Sequence, residues 1–497
     1  MMAFDKRTSG LLLHVTSLPG RHGSGDLGNE AIAFVDFAKR ARQRWWQMLP
    51  VGPIGPPPGY SPYTSSSSHA GEPMLISPDL LREAGLLTDD QAAPSKQANP
   101  GKVRYRPILK HRTKQLRQAY DNVASASRSQ RSKFEQFCEA QRGWLDDVAL
   151  FFALKHAYND RPWWEWDRKV ARRDPAALKN VWQSLAGEIR YQQFVQYQFR
   201  AQWQRLHDHA RRQKVGLIGD VPIFVAHDSV DVWCARHLFK LDRAGMPTRV
   251  SGYPPDPFSK KGQLWGHPQY AWSAHEREGF AWWTHRFAGT LELFDAVRID
   301  HFLGFDRVWS IPAKGADARK GRWVDTPGRA LFLAMRAKLG KLPIIAEDLG
   351  RLTDRAAKLR DDAGFPGMRI MLFAAGGDYH RPYSYPTNSV AYTGTHDNDT
   401  VVGFYRSLKP PGRRQMLKFF GATSPETLPE SMLRMLHNSP ANTVITPIQD
   451  VLGLDGKHRM NVPGTEAGNW VWRATPDMLK PTVADRLADL TRLYGRA

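Results

Sequence analysis

Cysteine is scarce in this sequence: Cys138 and Cys234 are the only two among 497 residues. Two thiols are too few for a disulfide framework or for a zinc site built from thiolates. Long apolar runs are also missing, and without 18 consecutive apolar residues a transmembrane helix is not expected. The first ten residues contain no apolar signal-peptide core, and residues 11–13 are too short to supply one. We therefore expect a cytoplasmic protein with no membrane partner.

Acidic residues are few relative to basic ones: 49 Asp and Glu stand against 70 Lys and Arg, a formal charge of +21. Such an excess raises the chance of contact with polyanions. The densest basic stretch runs from Lys102 to Lys133 and includes Arg112, but its spacing is typical of a solvated helical face. No nucleic-acid-binding motif accompanies it. We expect no nucleic-acid partner, and a polyanion-binding protein remains an alternative from another functional class.

Short apolar runs are what the sequence has in abundance, and 41% of its residues are hydrophobic, enough for a sizeable core. Several runs are nearly continuous, as expected of parallel strands that are covered on both faces. The eight runs that we predict to be strands are residues 11–19, 45–53, 215–225, 294–302, 342–350, 367–373, 389–397 and 442–452.

Helical patterns lie between many of these runs, at residues 30–44, 200–214 and 328–339. Eight strands that alternate with helices predict an α/β protein with a (β/α)8 TIM barrel, formed by residues 1–497 as a single catalytic unit. A doubly wound sheet is the alternative, but no G-x-G-x-x-G turn follows the first strand.

Three gaps between the strands are too long for a simple barrel. Residues 59–199 are mostly helical in pattern, residues 226–292 are loop-like and rich in proline, and residues 402–440 form a smaller helical insertion. Each gap follows the carboxyl end of a strand. The insertions are therefore predicted to build walls around the face of the barrel where chemistry takes place.

Carboxylates end three of the predicted strands: Asp300, Glu347 and Asp397. Strand alternation places Arg298 on the same face as Asp300, and a guanidinium there favours an ionised carboxylate, as a nucleophile requires. Glu347 follows the apolar residues 342–346, where burial should raise its pKa and keep it protonated, as a general acid requires. Two carboxyl groups in such different environments are typical of glycoside cleavage.

Asp397 has no obvious counter-charge in the sequence, and we expect it to bind sugar hydroxyls near the other two acids. His301 and His396 are expected to donate to neighbouring hydroxyls. A divalent metal site is the alternative for this group, but Arg298 would repel a cation. The first strand also lacks the H-x-H pair of metal-dependent barrel hydrolases. We therefore predict neither a metal nor any other cofactor.

A set of motifs in a fixed order resembles those of the 4-alpha-glucanotransferases, which are the amylomaltases or disproportionating enzymes of glycoside hydrolase family 77 in the α-amylase superfamily. The resemblance spans nearly the whole chain, and the motifs together are far more specific than any one of them. The matching segments are residues 14–19, 61–63, 219–225, 228–233, 254–256, 262–266, 298–305, 346–350, 393–400 and 459–464.

The resemblance implies Asp300 as nucleophile, Glu347 as acid/base and Asp397 as stabiliser. It implies that the substrates are α-1,4-glucans and maltooligosaccharides, with glucose as an acceptor. Trp265 and the loop at residues 254–258 resemble a lid over which the glucan bends. The residues that the resemblance and the motifs assign to sugar binding are Arg298, His396, Asp220, Tyr63, Ser61, Trp265, Phe258, His301 and Asn461.

Some positions depart from the family pattern, notably Pro257 in the lid, where many relatives carry tyrosine, and Glu72, where asparagine is more usual. Both lie away from the predicted catalytic carboxylates, so they bear on chain-length preference more than on the reaction. The residues alone leave two enzymatic alternatives open, a glucanotransferase and an α-amylase-like hydrolase. A glucan-binding scaffold without catalysis is a further alternative, which the complete set of acids makes less attractive.

Overall fold

The structure, a computed structural model, describes residues 4–56, 59–255, 259–350, 352–376 and 380–497. The strands are β1 (Thr8–Leu12), β2 (Trp45–Gln47), β3 (Gly216–Pro222), β4 (Arg249–Tyr253), β5 (Gln263–Pro268), β6 (Ala296–Asp300), β7 (Arg307–Pro312), β8 (Arg322–Asp325), β9 (Ile344–Ala346), β10 (Gly367–Ile370), β11 (Ser389–Tyr392) and β12 (Thr443–Pro447). The α-helices are α1 (Asn29–Arg40), α2 (Pro78–Glu83), α3 (Asp89–Ala92), α4 (Tyr105–Asp121), α5 (Arg128–Ala140), α6 (Arg142–Ala157), α7 (Arg168–Ala171), α8 (Pro175–Ser184), α9 (Ala186–Gln213), α10 (Val230–Cys234), α11 (Trp272–Arg277), α12 (Ala281–Leu293), α13 (Gly328–Leu339), α14 (Asp354–Asp362), α15 (Val401–Ser407), α16 (Pro410–Phe420), α17 (Leu428–Asn438), α18 (Ile448–Val451) and α19 (Pro481–Leu493).

Eight strands close into a parallel barrel in the order β1-β12-β11-β10-β9-β6-β3-β2. Each predicted apolar run overlaps one of them, which confirms the predicted fold class. The first strand lies earlier than expected, at Thr8–Leu12, because residues 15–17 of its run form a 3-10 turn instead. In such a barrel the carboxyl ends of all eight strands meet at one face, and side chains placed there converge.

The base of the barrel is filled by Trp45, whose position depends on glycine in both neighbouring strands. Gly10 of β1 and Gly216 of β3 lie directly opposite Trp45 in the strand register. A Cβ atom at Gly10 would come within 2.6 Å of the Trp45 Cβ, and one at Gly216 within 2.5 Å of its indole. A larger residue at Gly10 would therefore press on the Cβ and backbone of Trp45, and one at Gly216 would press on its indole.

The long segment between β2 and β3 is helical, as expected, and holds the helices α2 to α9. The predicted start of the last helix in this segment, at Arg200, was wrong. The helix α9 begins at Ala186 and continues without a break to Gln213. Its buried side includes Gln196 and Gln202. Each side-chain amide accepts from the backbone N–H of one residue and donates to the backbone oxygen of the same residue, Gly71 for Gln196 and Ser77 for Gln202. These buried polar residues interrupt the apolar periodicity from which a helix is recognised.

A second sheet follows the barrel strand β3, where residues 226–292 were expected to be loop-like. That expectation was wrong: β4 and β5 form an antiparallel hairpin, which β7 and β8 extend to four strands in the order β5-β4-β7-β8. This sheet has a small apolar cluster of its own, formed by Val250 of β4, Ile311 of β7 and the nearby Ala318. With so few buried positions, the alternation that identifies a strand is weak in the sequence.

The basic stretch of α4 and α5 contains one arginine that does not belong to a solvated face. Arg112 is buried, donates to the backbone oxygens of Met74 (2.7 Å) and Ile76, and lies 3.7 Å from Asp26. Its role is to fix the segment that follows β2, so this part of the surface prediction was wrong. Among the described residues, no helix is long and apolar enough to cross a membrane.

Candidate active site

A cleft lies at the carboxyl ends of the barrel strands, and the three predicted catalytic acids, Asp300, Glu347 and Asp397, line it together. Its volume to the open mouth is about 1120 Å³. That figure includes solvent at the mouth, and the cavity volume of about 400 Å³ lies within the range of roughly 300–1,000 Å³ that is usual for small-molecule pockets. The predicted sugar-binding residues that also line it are Ser61, Tyr63, Trp265, His301 and Asn461.

The pairing of β3 with β6 determines the charges around Asp300. Asp220 lies opposite Arg298 in the strand register. Arg298 Nη1 donates to Asp220 Oδ2 over 2.6 Å, and Nη2 donates to Asp300 Oδ1 over 2.8 Å. Burial alone would lower the pKa of Arg298, but the two carboxylates outweigh it and raise that pKa. Arg298 therefore stays charged, and it forms an ion pair with each of the two carboxylates.

Glu347 follows β9, and its carboxyl group is held by backbone groups just beyond the ends of β6 and β9. The backbone N–H groups of His301 and Leu349 donate to its two carboxyl oxygens over 2.7 and 3.1 Å. His301 adopts φ 54°, in the left-handed region that costs a non-glycine residue about 1 kcal/mol or more, and this conformation directs its N–H to Glu347.

Burial raises the pKa of Glu347 to about 7, and the charge of Asp300 adds to this effect. Arg298 and the two backbone N–H donors oppose it, but desolvation is the larger contribution. The raised pKa has the direction and the main cause expected from the apolar approach of residues 342–346. At neutral pH a substantial fraction of Glu347 therefore carries the proton that a general acid needs.

Asp397 has closer partners than the sequence indicated. Asn461 Nδ2 donates to Oδ1 over 2.7 Å, and His396 Nε2 lies 3.3 Å from Oδ2. Burial alone would raise the pKa of Asp397, but His396, with Asn461, holds it well below its usual range. The expectation of no counter-charge was wrong because residues 395–398 form a turn beyond β11, closed by the Thr395 N–H donating to Asn398. In a turn, unlike a strand, adjacent side chains can meet.

Tyr63 connects the two sides of this site. Its hydroxyl donates to Asp220 Oδ2 over 2.9 Å and lies 2.7 Å from His396 Nε2. Burial raises the pKa of Asp220 to about 6, although Arg298 opposes it. In the described part of the chain Asp220, Arg298 and His396 are buried behind the cleft wall and are not among the residues that line it. Their direct contact with a sugar stays a prediction.

The loop that carries Ser61 and Tyr63 is held from outside the barrel. Ser61 Oγ accepts from the Tyr63 N–H over 3.2 Å and begins a 3-10 turn. Further along the loop, the Asp231 carboxylate accepts from the N–H and the hydroxyl of Ser68 over 2.9 and 2.5 Å. The insertion after β3 therefore orders the loop after β2 that faces the cleft.

A family model described as 4-alpha-glucanotransferase, glycoside hydrolase 77, matches residues 13–479. The chain belongs to the 4-alpha-glucanotransferase family. A 4-alpha-glucanotransferase of Synechocystis is 43% identical over 99% of this chain and 98% of its own length. One of Thermus thermophilus is 42% identical over 99% of both. These relatives confirm the family resemblance.

A solved structure places the fold in the same family. The amylomaltase of Streptococcus agalactiae in complex with acarbose superimposes with a TM-score of 0.95 at 38% identity, covering 99% of this chain and 100% of that one. Family membership and the closed parallel barrel together identify this chain as an enzyme of the glucanotransferase type.

Two residues of this 4-alpha-glucanotransferase site were not predicted from the sequence. Trp470 lines the cleft, and its ring centroid lies 5.7 Å from that of Tyr63. Arg459 donates to the backbone oxygen of Asp397 over 3.0 Å. Their nearness in sequence to Asn461 could have indicated both residues. Arg459 begins the motif that contains Asn461, and Trp470 lies nine residues after Asn461.

Two further predictions about the site have different outcomes. Phe258 lies outside the described residues, together with Asp256 and Pro257 of the lid loop. Trp265, also predicted to belong to a lid, is described, and its ring meets the His301 ring edge to face at 4.9 Å between centroids. Within the described ranges no group of three or more metal-ligating side chains is arranged to hold a metal ion.

Proposed function

We propose that this chain transfers segments of α-1,4-glucan from a donor maltooligosaccharide to the 4-hydroxyl of an acceptor sugar, with retention. The observation that carries the proposal is the pair of carboxyl groups in one cleft, a desolvated Glu347 with its pKa raised to about 7 and an Asp300 bound to Arg298. A protonated acid beside an ionised carboxylate is the arrangement that retaining glycoside cleavage requires.

In the first step the Glu347 proton passes to the glycosidic oxygen while Asp300 attacks the anomeric carbon. The C–O bond to the leaving sugar breaks, and a covalent β-glucosyl ester on Asp300 forms. Asp397, ionised through its contact with His396, stabilises the flattened sugar ring by accepting from its hydroxyls. This geometry requires the carboxyl groups of Asp300 and Glu347 to be roughly 5–5.5 Å apart.

In the second step Glu347, now ionised, takes the proton of the acceptor's 4-hydroxyl. The acceptor oxygen attacks the anomeric carbon, Asp300 leaves, and the α configuration is restored. A sugar acceptor is favoured over water when the cleft is covered and water is excluded. Trp265 lines the cleft from the strand β5, which supports its proposed role in excluding water.

The comparisons support transfer rather than hydrolysis. The relatives at 42–43% identity are named 4-alpha-glucanotransferases, and the similar amylomaltase was solved with acarbose. We propose accordingly that maltooligosaccharides and longer α-1,4-glucans are donors and that glucose is an acceptor. We also propose a cytoplasmic location, the single barrel with insertions at residues 59–199, 226–292 and 402–440, and no nucleic-acid partner.

Incubation of the purified protein with maltotriose tests the reaction. We expect glucose and a ladder of longer maltooligosaccharides, with no net gain in reducing ends, because each cleavage is followed by transfer. A steady gain in reducing ends would instead establish the α-amylase-like hydrolase.

The variant Asp300→Asn tests the mechanism, with Asp90→Asn as the matched control because Asp90 is exposed on α3. We expect the first variant to lose essentially all transfer and the second to keep it. If Asp300→Asn retained a tenth of the activity, Asp300 would not be the nucleophile.

A further inference from the structure

The edge strand β5 presents three side chains to the active-site cleft: Gln263, Trp265 and His267. Gln263 and Trp265 are two residues apart and share one face of the strand, and His267, which follows Gly266 at φ 78°, lines the same cleft. Leu264 lies on the opposite face and is 49% exposed to solvent. The family motif quoted above ends at Gly266, and His267 has no role in the mechanism above.

His267 differs from its neighbours in its hydrogen bonding. Trp265 Nε1 donates to Gln263 Oε1 over 3.0 Å, so these two side chains satisfy each other. The His267 ring, by contrast, makes no hydrogen bond within the described chain, although it lines a cleft that holds three carboxylates. Burial lowers the pKa of His267 to about 4, which leaves the ring neutral at physiological pH. A neutral imidazole offers one N–H donor and one nitrogen acceptor.

The backbone next to His267 is firmly held. Pro268 is buried and pairs with Val250 of β4. The Gln269 N–H donates to the Arg249 oxygen over 3.2 Å, and the Gln269 amide donates to the oxygens of Val250 and Trp309. His267 therefore projects from an anchored strand end and not from a free loop. A side chain in such a position can bind a ligand at little cost in conformational entropy.

We propose that His267 is a specificity-determining residue that binds hydroxyl groups of a glucosyl unit in the cleft, beside the unit that Trp265 covers. This inference rests on the proposed function, since it takes the ligand to be a glucan. The match is chemical: a pair of sugar hydroxyls can use one donor and one acceptor, and a neutral imidazole supplies one of each. The contact adds binding energy without taking part in the proton transfers of Glu347.

The test compares His267→Ala, His267→Asn and Leu264→Ala in maltotriose disproportionation, with the donor and a glucose acceptor varied separately. Asn keeps one donor and one acceptor, and Leu264→Ala is the control on the opposite face of β5. For His267→Ala we expect KM for donor or acceptor to rise at least fivefold, with kcat within about twofold of the wild type. For His267→Asn we expect KM to return to within about threefold, and for Leu264→Ala no change.

Binding of acarbose and maltotriose to the same variants in a Glu347→Gln background, measured calorimetrically, gives a readout that does not need turnover. We expect the dissociation constant of at least one ligand to rise about fivefold with His267→Ala. Unchanged KM and unchanged binding in a His267→Ala protein with the wild-type melting temperature would overturn the inference alone. If the wild type neither disproportionates maltotriose nor binds either sugar, the proposed function and this inference both fall.

Discussion

Arg298 Nη2 lies 2.8 Å from Asp300 Oδ1, two residues further along the same strand. The other terminal nitrogen of this guanidinium donates to Asp220, whose side chain is fully buried. One arginine thus neutralises a carboxylate inside the barrel and steadies the carboxylate that we propose as nucleophile. Because the planar guanidinium binds both partners at once, an ammonium is a poor replacement.

We predict that Arg298→Ala destabilises the protein and abolishes transfer. Removal of the guanidinium leaves the Asp220 carboxylate buried without its cation, which typically costs about 3–5 kcal/mol. Thermal unfolding followed by circular dichroism, together with the maltotriose assay, measures the two effects.

Arg298→Lys separates stability from chemistry. It keeps a positive charge between the strands, so we expect part of the lost stability to return while transfer remains at least about tenfold below the wild type, because one ammonium cannot hold both carboxylates in place. An Arg298→Lys enzyme with wild-type kcat would show that the bridging geometry is unimportant.

The pH dependence of kcat/KM should report the acid. Burial raises the pKa of Glu347 to about 7, and the first step needs its protonated form. The protonated fraction is high below that pH and falls above it, so kcat/KM should decline as the pH rises through about 7. Initial rates with maltotriose between pH 5 and 9 give the profile.

Glu347→Gln provides the control for this assignment. The amide cannot transfer a proton, so residual activity on a donor with an activated aryl leaving group should no longer decline through pH 7. An alkaline limb that survives in Glu347→Gln would assign the titration to another group.

The site residues and their environments were predictable from the sequence where they depend on the pattern within a single strand. Alternation along β6 placed Arg298 beside Asp300, and the apolar approach to Glu347 indicated burial, because both properties are local in the sequence. The parallel barrel was predictable for the same reason, since each of its strands is a short apolar run.

What the sequence could not show are contacts between distant segments and elements that bury little surface. The Tyr63 hydroxyl contacts Asp220 and His396, which lie 157 and 333 positions further along the sequence, and no local pattern encodes that bridge. The sheet of β4, β5, β7 and β8 has a small core, so its alternation is faint. Part of α9 before Arg200 was hidden by the buried Gln196, whose partner is the backbone of Gly71, 125 residues distant.

We predict that Gly367→Ala lowers both stability and activity. A Cβ atom there would lie 2.3 Å from Asp348 Oδ2, and the Asp348 side chain is fully buried against Arg360 and the Met368 N–H. Overpacking of this kind usually costs about 1–3 kcal/mol, and because Asp348 directly follows Glu347, its displacement should also lower kcat. Thermal unfolding and the transfer assay give both quantities.

The matched control is Gly187→Ala in α9, where a Cβ atom meets nothing within 4 Å. Alanine is a better helix former than glycine by up to about 1 kcal/mol, so this variant should be neutral or slightly more stable. Equal effects of the two substitutions would show that the contact with Asp348 is not what excludes a side chain from position 367.

The hydroxyl of Tyr63 yields the most specific prediction, because Tyr63→Phe keeps the ring that faces the cleft and deletes only the bridge between Asp220 and His396. A hydrogen bond to a charged group is worth about 1.5–3 kcal/mol, so we expect kcat/KM for maltotriose to fall at least about tenfold. Tyr120→Phe, in the helical insertion, serves as control and should change neither rate nor stability. Because the Tyr63 hydroxyl contacts His396, which in turn lies beside Asp397, we expect the loss to appear in kcat as well as in KM. A rise in KM alone would mean that Tyr63 only shapes the sugar-binding surface, and wild-type kinetics for Tyr63→Phe would remove the bridge from the mechanism altogether.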